Sequence, residues 1–298
     1  MTKIELSIFK TLAFFAVFGR PLTLEEIWQY LYKLKASQLQ VLIGLENLQK
    51  NSKINRKNQY YFLNRQPLII AEFENRKLVC QRNWQKVKWV IRLLRNIPFV
   101  KNISIINSLA FGTSNEKSDI DILLIAKKNR LWTTRALLVL LLEIIGQNKN
   151  KWYQAGKFCL GFAFDENRLN LSQIKKDYPA HFVYWLASLA PVYDRGIYRK
   201  LIQANSLVEI LPNWQVKNPK ITSPTFTLLE KWFSGKLGDR LEAFLARIQI
   251  NKVWRDPQNK KAEGNKVIAD KSMLKMHPMD RRGEYQKKWL EILRGVLT

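Results

Sequence analysis

Hydrophobic residues in the first part of the chain follow a helical spacing that is interrupted by helix start and stop signals. Between residues 4 and 17 they recur every three to four positions, which predicts an amphipathic helix ending at Gly19-Arg20-Pro21. Thr23 and Glu26 have the spacing of a capping box, so a second helix is expected to begin there. Ser37 is the N-cap predicted for a third helix, and residues 53–63 are expected to form a β-hairpin.

Residues 66–97 are predicted to form one connecting helix. Apolar positions keep a helical spacing there, among many lysines and arginines, until Pro98 ends the pattern. Trp84 and Trp89 lie among these cations, and two interpretations stay open. The tryptophans stack on nucleic-acid bases, or they pack on the next domain while the cations are solvated.

The stretch of residues 103–125 has two apolar, β-branched runs on either side of a polar loop, which predicts strand, turn and strand. The second run begins with Asp119 and Asp121. Because strand side chains alternate between faces, both carboxylates point one way, whereas Ile120 and Ile122 point the other. Carboxylates near a core are costly unless they are compensated. A pair of this kind suits a hard cation such as Mg²⁺.

The rest of the chain is predicted to be mostly helical, with one clear strand over residues 157–165 after a helix over 132–145. Regular alternation in that strand would put Phe158, Leu160, Phe162 and Phe164 on one face, and Cys159, Gly161, Ala163 and Asp165 on the other. Further helices are expected over 178–190, 199–205, 227–248 and 284–297, with a turn over 191–196, a linker over 213–224 and a short strand within 266–276.

Composition limits the class of protein. A chain of 298 residues that is 47% hydrophobic is long enough for two or three domains with real cores and too apolar to be disordered. The net charge of +26 favours polyanionic partners such as nucleic acid, although a dispersed, solvated surface charge is the alternative. Cys80 and Cys159 are the only cysteines, which excludes a cysteine zinc cluster and argues against a disulfide scaffold. The longest apolar run is too short to span a bilayer, so a cytoplasmic protein without a membrane partner is expected.

The three helices and basic hairpin of residues 1–65 resemble a winged helix-turn-helix. In that fold the third helix enters the DNA major groove and the hairpin contacts the backbone. The predicted third helix has few cations apart from Lys50, and winged domains also serve as protein-interaction modules. DNA binding and protein binding by this domain both stay open.

The central stretch resembles the signature of the DNA polymerase β-like nucleotidyltransferase superfamily. That family has a Gly-Ser turn, a spacer of about ten residues and an Asp-x-Asp strand. Here ten residues lie between Asn107-Ser108 and Asp119, and Asp121 follows two positions later. The match covers residues 99–125, and the whole chain, including residues 277–280, looks like bacterial proteins that carry this domain. The expected fold is α+β and mostly helical: a winged helix (1–65), a connecting helix (66–97), a nucleotidyltransferase-like mixed sheet with flanking helices (98–215) and a helical C-terminal region (216–298).

The resemblance implies a Mg²⁺-dependent transfer of a nucleoside monophosphate from a nucleoside triphosphate to an acceptor. Asp119 and Asp121 correspond to the catalytic metal ligands, and two ions held there would stabilise the attacking and leaving oxygens.

The resemblance also places nucleotide binding at the turn before these carboxylates. Ser108 corresponds to the phosphate-binding hydroxyl, with Asn107, Gly112 and Ser118 as the other expected nucleotide-binding residues. Asn107 departs from the family, whose glycine permits positive φ and lets phosphate approach the backbone closely.

A second departure concerns the third carboxylate, which the family carries on the strand beside Asp-x-Asp. The predicted strand has no acid at its centre, and Asp165 at its far end is the one hypothesis for this group. Two functions therefore stay open: a nucleotidyltransferase, or a non-catalytic module that binds nucleotide or nucleic acid.

Overall fold

The structure of the chain is a computed structural model, and it describes residues 1–64, 68–150, 153–175, 179–219, 228–262, 266–276 and 281–297. These residues form a mixed α/β protein in which helix predominates, arranged around one six-stranded mixed sheet. The predicted α+β class is confirmed at that level. Residues 277–280, which contributed to the wider resemblance, lie outside the described residues.

The N-terminal part contains three helices and a small sheet. The helices are α1 (Lys3–Ala16), α2 (Leu24–Gln29) and α3 (Gln38–Lys50), and the strands are β1 (Leu22–Thr23), β2 (Ile54–Lys57) and β3 (Tyr60–Leu63). The strands pair antiparallel in the order β1-β3-β2.

Two predicted helix starts in this part are confirmed by their hydrogen bonds. Thr23 Oγ1 accepts from the Glu26 amide at 3.3 Å, and a Glu26 carboxylate oxygen accepts from the Thr23 amide at 2.9 Å. Ser37 and Gln40 make the same reciprocal pair at the start of α3. The first helix ends at Ala16, a few residues before the predicted stop.

Helix α4 (Ile69–Leu94) is the predicted connecting helix. Val87, Val90 and Leu94 are buried against one face of the main sheet, and Trp84 packs beside them. Trp89 is 41% exposed. The helix is therefore part of the core of the next unit, with Trp84 partly buried against that core and Trp89 more exposed.

The main sheet has the strand order β7-β4-β5-β6-β9-β8. Its strands are β4 (Val100–Ile105), β5 (Ile120–Ala126), β6 (Phe158–Asp165), β7 (Ala190–Asp194), β8 (Val267–Ala269) and β9 (Met273–Met276). Strands β5 and β6 are parallel, and the other neighbours are antiparallel. The predicted strand–turn–strand unit thus supplies two adjacent inner strands of the sheet.

The segment predicted as a turn over residues 191–196 is in fact mostly strand. Residues Ala190–Asp194 form β7, which pairs with β4 at the sheet edge, and Pro191 lies beside a register shift in that pairing. Proline lacks the amide that an interior strand would need, so it is tolerated at an edge or an irregularity. Pro191 favours a turn when only its neighbours in the sequence are considered. Pairing with β4 outweighs that local preference and makes the segment a strand.

The C-terminal region is not wholly helical, because it completes the main sheet. The hairpin β8–β9 adds two strands to β6, through pairs such as Ala163 with Leu274. A boundary at residue 216 therefore does not separate this region from the central sheet.

A bulge in β6 changes the faces predicted for that strand. Asp121 pairs with Cys159, but Leu123 pairs with Phe162, so β6 has one extra residue between these pairs. Beyond the bulge the alternation is inverted, and Phe162 faces the opposite core from Phe158. The predicted single face of four aromatic and aliphatic side chains is wrong for this reason.

Helices cover both faces of the sheet. They are α5 (Asn107–Ala110), α6 (Leu131–Ile144), α7 (Ser172–Lys175), α8 (Pro179–Ser188), α9 (Tyr198–Ala204), α10 (Leu207–Ile210), α11 (Leu228–Trp232), α12 (Lys236–Arg255), α13 (Pro257–Lys260) and α14 (Arg282–Leu297). Helices α4, α6 and α12 pack on one face, whereas α1, α8 and α14 share a core with the other.

The N-terminal part and the sheet share one hydrophobic core. Phe14 of α1 stacks on Tyr184 of α8 with ring centroids 4.2 Å apart, and Phe15 contacts Phe111 in the central turn. Among the described residues, none of the helices has the length and apolar character needed to cross a bilayer.

Candidate functional site

The turn between β4 and β5 has the conformation that the family's glycine would provide. Asn107 has φ +55°, in the left-handed region, and the Ile106 amide donates to the Asp121 carbonyl at 3.1 Å. Asparagine enters this region more readily than most residues with a side chain. Asn107 therefore keeps the backbone shape and places an amide side chain where the family has none.

Asp119, Asp121 and Cys159 form one cluster, with one ligand atom from each lying within 4.8 Å of the others. The two acids share a side of the sheet, as the alternation predicts. Cys159 joins them because it is the direct partner of Asp121 in the parallel β5–β6 pair. The position beside Asp121 thus carries the Cys159 thiol rather than a third carboxylate.

Each carboxylate is engaged by a protein side chain. Asn107 Nδ2 donates to Asp121 Oδ2 at 2.9 Å, and Asn107 Oδ1 in turn accepts from Trp185 Nε1 at 3.1 Å. Lys149 Nζ donates to Asp119 Oδ2 at 2.6 Å. The pair is therefore held by an amide on one side and an ammonium on the other.

Burial and mutual repulsion set the protonation of the cluster. Burial, together with the Asp119 charge, raises the pKa of Asp121 to about 6, against the lowering effects of Asn107 and Lys149. Burial and the Asp121 carboxylate raise the pKa of the Cys159 thiol to about 12. Although burial lowers it, the pKa of Lys149 is raised overall because Asp119 accepts its hydrogen bond. At neutral pH the cluster holds a neutral thiol and a charged ammonium.

This donor set does not fit the Mg²⁺ ions that the resemblance implies. Mg²⁺ takes oxygen ligands in a near-ideal octahedron, and a neutral thiol is not such a ligand. The Lys149 ammonium already pairs with an oxygen of Asp119 that a metal would use. Two carboxylates with these partners are too few groups for a two-ion centre.

The remaining predicted nucleotide-binding residues shape the loop between the two strands. Ser108 Oγ lies 3.2 Å from Ser114 Oγ, and the Ser108 carbonyl accepts from the Thr113 amide at 2.8 Å. Gly112 has φ +71°, which closes the turn, and Ser118 Oγ accepts from the Asn115 amide at 2.9 Å. Ser118 therefore organises the loop, while Ser108 lines the cavity described below.

Asp165 is not brought to the acid pair. It pairs with Ala126 at the other end of β5, six residues along β6 from Cys159, which is a distance of about 20 Å. The bulge also turns it to the opposite face. Its carboxylate accepts from the Asn129 amide at 2.9 Å and the Asn167 amide at 3.0 Å, and burial raises its pKa. Asp165 is a capping acid, and the third-carboxylate hypothesis for it is not supported.

A cavity of about 340 Å³ opens beside Asn107 and Ser108. Its walls are aromatic and partly stacked. The ring centroids of Phe18 and Phe111 are 5.2 Å apart, those of Phe162 and Trp185 are 5.5 Å apart, and those of His181 and Tyr285 are 5.8 Å apart. Such a size and lining are typical of small-molecule sites.

Three cations also line this cavity: Lys275, Arg281 and Arg282. Arg281 lies over the Tyr285 ring at 5.3 Å, and Arg282 donates to the Ile174 carbonyl at 2.8 Å. Since Asn107 lines the cavity and also donates to Asp121, the cavity and the acid pair are parts of one site.

Several residues of this site were missed by sequence reasoning. Lys149, Trp185, Arg281 and Tyr285 lie far from the motif in the chain and carry no local pattern that marks them. The sequence predicts that Cys159 lies on strand β6, but it does not predict the contact with Asp121. The register of two parallel strands cannot be deduced from the sequence of one of them. The acidic pair alone gave a usable signal.

Comparisons of the chain with protein-family models, with curated proteins and with solved structures returned no match.

Proposed function

We propose that this protein binds a nucleotide through a nucleotidyltransferase-like domain without carrying out metal-dependent transfer. The observation that carries the proposal is the cavity beside Asn107 and Ser108, which combines stacked aromatic walls with three cations. A planar base suits the aromatic walls, and a phosphate suits the cations and the serine hydroxyl.

The state of the acid pair supports binding rather than transfer. Asp121 is held by the Asn107 amide, Asp119 is paired with Lys149, and a thiol occupies the third position. These groups satisfy the carboxylates from within the protein, which is the arrangement expected of a site that does not assemble a metal centre.

Direct titration with nucleoside triphosphates tests the proposal. ATP, GTP, CTP and UTP are titrated separately into the full chain, and calorimetry measures their binding. Tyr285→Ala removes one stacking wall and is expected to weaken binding about tenfold or more, because base stacking contributes about 1–3 kcal/mol. Tyr153→Ala is the matched control, since Tyr153 is 70% exposed. Absence of binding by the wild type at millimolar nucleotide would overturn the proposal.

An active nucleotidyltransferase is the second candidate, favoured by the retained Asp119–Asp121 pair. Pyrophosphate release from nucleoside triphosphate in Mg²⁺ distinguishes the two functions. We expect the wild type and the Asp119→Ala/Asp121→Ala variant to give the same background. Release by the wild type that the double variant lacks would establish the enzyme and refute the non-catalytic proposal.

We also propose that the N-terminal unit is a winged helix that contacts a protein rather than reading DNA bases. Three helices with a three-stranded antiparallel sheet support the fold. On α3 the exposed surface includes Leu39 and Ile43, exposed by 65% and 50%. Any duplex binding by the full chain is then expected to be independent of sequence and to fall steeply with salt, as phosphate contacts do. A sequence-specific complex that survives added salt would contradict this.

A further inference from the structure

We infer that Lys149 is a built-in counter-cation that takes the place of a divalent metal at the Asp119–Asp121 pair. The inference deepens the proposed function, because it makes ligand binding in the neighbouring cavity independent of Mg²⁺. The test measures metal binding alone, so its outcome does not depend on whether the protein binds a nucleotide.

The backbone fixes Lys149 beside the acids. After α6 ends, the Gln147 carbonyl accepts from the Phe158 amide at 2.8 Å, and the Lys149 amide donates to the Phe158 carbonyl at 2.9 Å. Asn148 forms a parallel bridge with Phe158. This short ladder attaches the loop to β6 directly before Cys159, so Lys149 is held at the edge of the cluster by main-chain contacts.

The ammonium occupies a carboxylate oxygen that a bound ion would use. Lys149 Nζ is 2.6 Å from Asp119 Oδ2, and Mg²⁺ binds carboxylate oxygen at about 2.1 Å, so an ion on that oxygen would be no farther than about 4.7 Å from Nζ. Two cations at that separation repel each other strongly. Lysine and metal therefore exclude each other at this pair.

The other ligand positions reinforce the exclusion. Asn107 Nδ2 donates to Asp121 Oδ2, which leaves that oxygen less able to bind a metal. Cys159 stands where a third oxygen ligand would be needed. The Lys149 and Asp119 side chains are 32% and 21% exposed, so the ammonium is also accessible to an anionic ligand from solvent.

Titration with Mn²⁺, read from the paramagnetic resonance signal of the free ion, tests the inference without nucleotide. We expect no stoichiometric site in the wild type up to millimolar Mn²⁺. Lys149→Met/Cys159→Asp removes the ammonium and supplies a third carboxylate, and it is expected to gain one site with at least tenfold tighter binding. Adding Asp119→Asn to this variant should abolish the gain.

Lys157→Met/Cys159→Asp is the matched control, because Lys157 donates to the Gly146 carbonyl of the same loop and its loss lowers the charge equally. It should gain no site. Folding is checked by circular dichroism, and Lys149→Gln replaces Lys149→Met if the latter fails to fold. A wild-type Mn²⁺ site that Asp119→Asn removes, or a folded Lys149→Met/Cys159→Asp protein that gains none, would overturn the inference.

Discussion

At the scale of single residues, Asn107 connects the two halves of the site. Its amide oxygen accepts from Trp185 at the cavity, and its amide nitrogen donates to Asp121 in the acid pair. A glycine would supply the same backbone conformation without either contact. Asparagine at this turn therefore has a structural role, which is to satisfy a partly buried carboxylate that would otherwise need a cation.

Replacing Asp121 should show how much this carboxylate lowers the free energy of unfolding. Its pKa is raised from 3.8 to about 6, so between these values the folded state holds more protons than the unfolded state. The contribution of this group to stability therefore falls as pH rises from about 4 to 6. Relative to the wild type, Asp121→Asn should gain stability over that window, by up to about 3 kcal/mol.

Urea unfolding of both proteins at several values from pH 4 to pH 7 checks this expectation. Taking the difference between the two proteins cancels groups that titrate alike in both. A difference that does not change with pH would show that Asp121 titrates at its ordinary value.

At the scale of secondary-structure elements, helices in this protein are capped both locally and from a distance. The α2 and α3 starts use side chains within their own first turn. The start of α6 instead uses Glu242 of α12, whose carboxylate accepts from the Trp132 and Thr133 amides, each at 2.8 Å. A negative charge at a helix N-terminus also complements the helix dipole.

Glu242→Ala should destabilise the protein by about 2–4 kcal/mol, because two buried amides lose their acceptor. Glu46→Ala on α3 is the control, since Glu46 is exposed, and its effect should stay within about 0.5 kcal/mol. Chemical denaturation followed by circular dichroism measures both. Equal effects would mean that water replaces the distant cap.

At the scale of the whole molecule, the two ends of the chain and the central sheet share one core. Trp289 of α14 donates to the Lys10 carbonyl of α1 at 3.0 Å and packs edge-on against Phe14. Tyr184 of α8 stacks on Phe14 from the central unit. The predicted boundaries at residues 65 and 216 therefore do not separate regions with hydrophobic cores of their own.

Trp289→Ala should therefore lower the stability of the whole molecule, by about 3–5 kcal/mol, and keep a single unfolding transition. Far-ultraviolet circular dichroism and tryptophan fluorescence should give the same midpoint in the wild type and in the variant. Separate midpoints for the two probes, with an early loss confined to part of the signal, would show independent domains instead.

The local sequence determined those features that depend on interactions between residues close together in the chain. The capping boxes, the long α4 helix, the hairpin of β2 and β3, and the strand–turn–strand around Asp119 and Asp121 all follow from residues within a few positions of one another. Alternation along one strand also placed both acids on one side. The signals for these features are local in the chain, although packing in the core stabilises the elements once they form.

Only the tertiary structure decided what surrounds those acids. The parallel register of β5 and β6 brings Cys159 beside Asp121, and the bulge in β6 turns Asp165, at the far end of that strand, to the opposite face. The ladder to Phe158 delivers Lys149, and α8 delivers Trp185. Strand register and helix docking depend on pairings across long chain separations, which one sequence does not encode in any local pattern. The sequence located the acid pair, and the fold supplied an ammonium, an amide and a thiol as its partners.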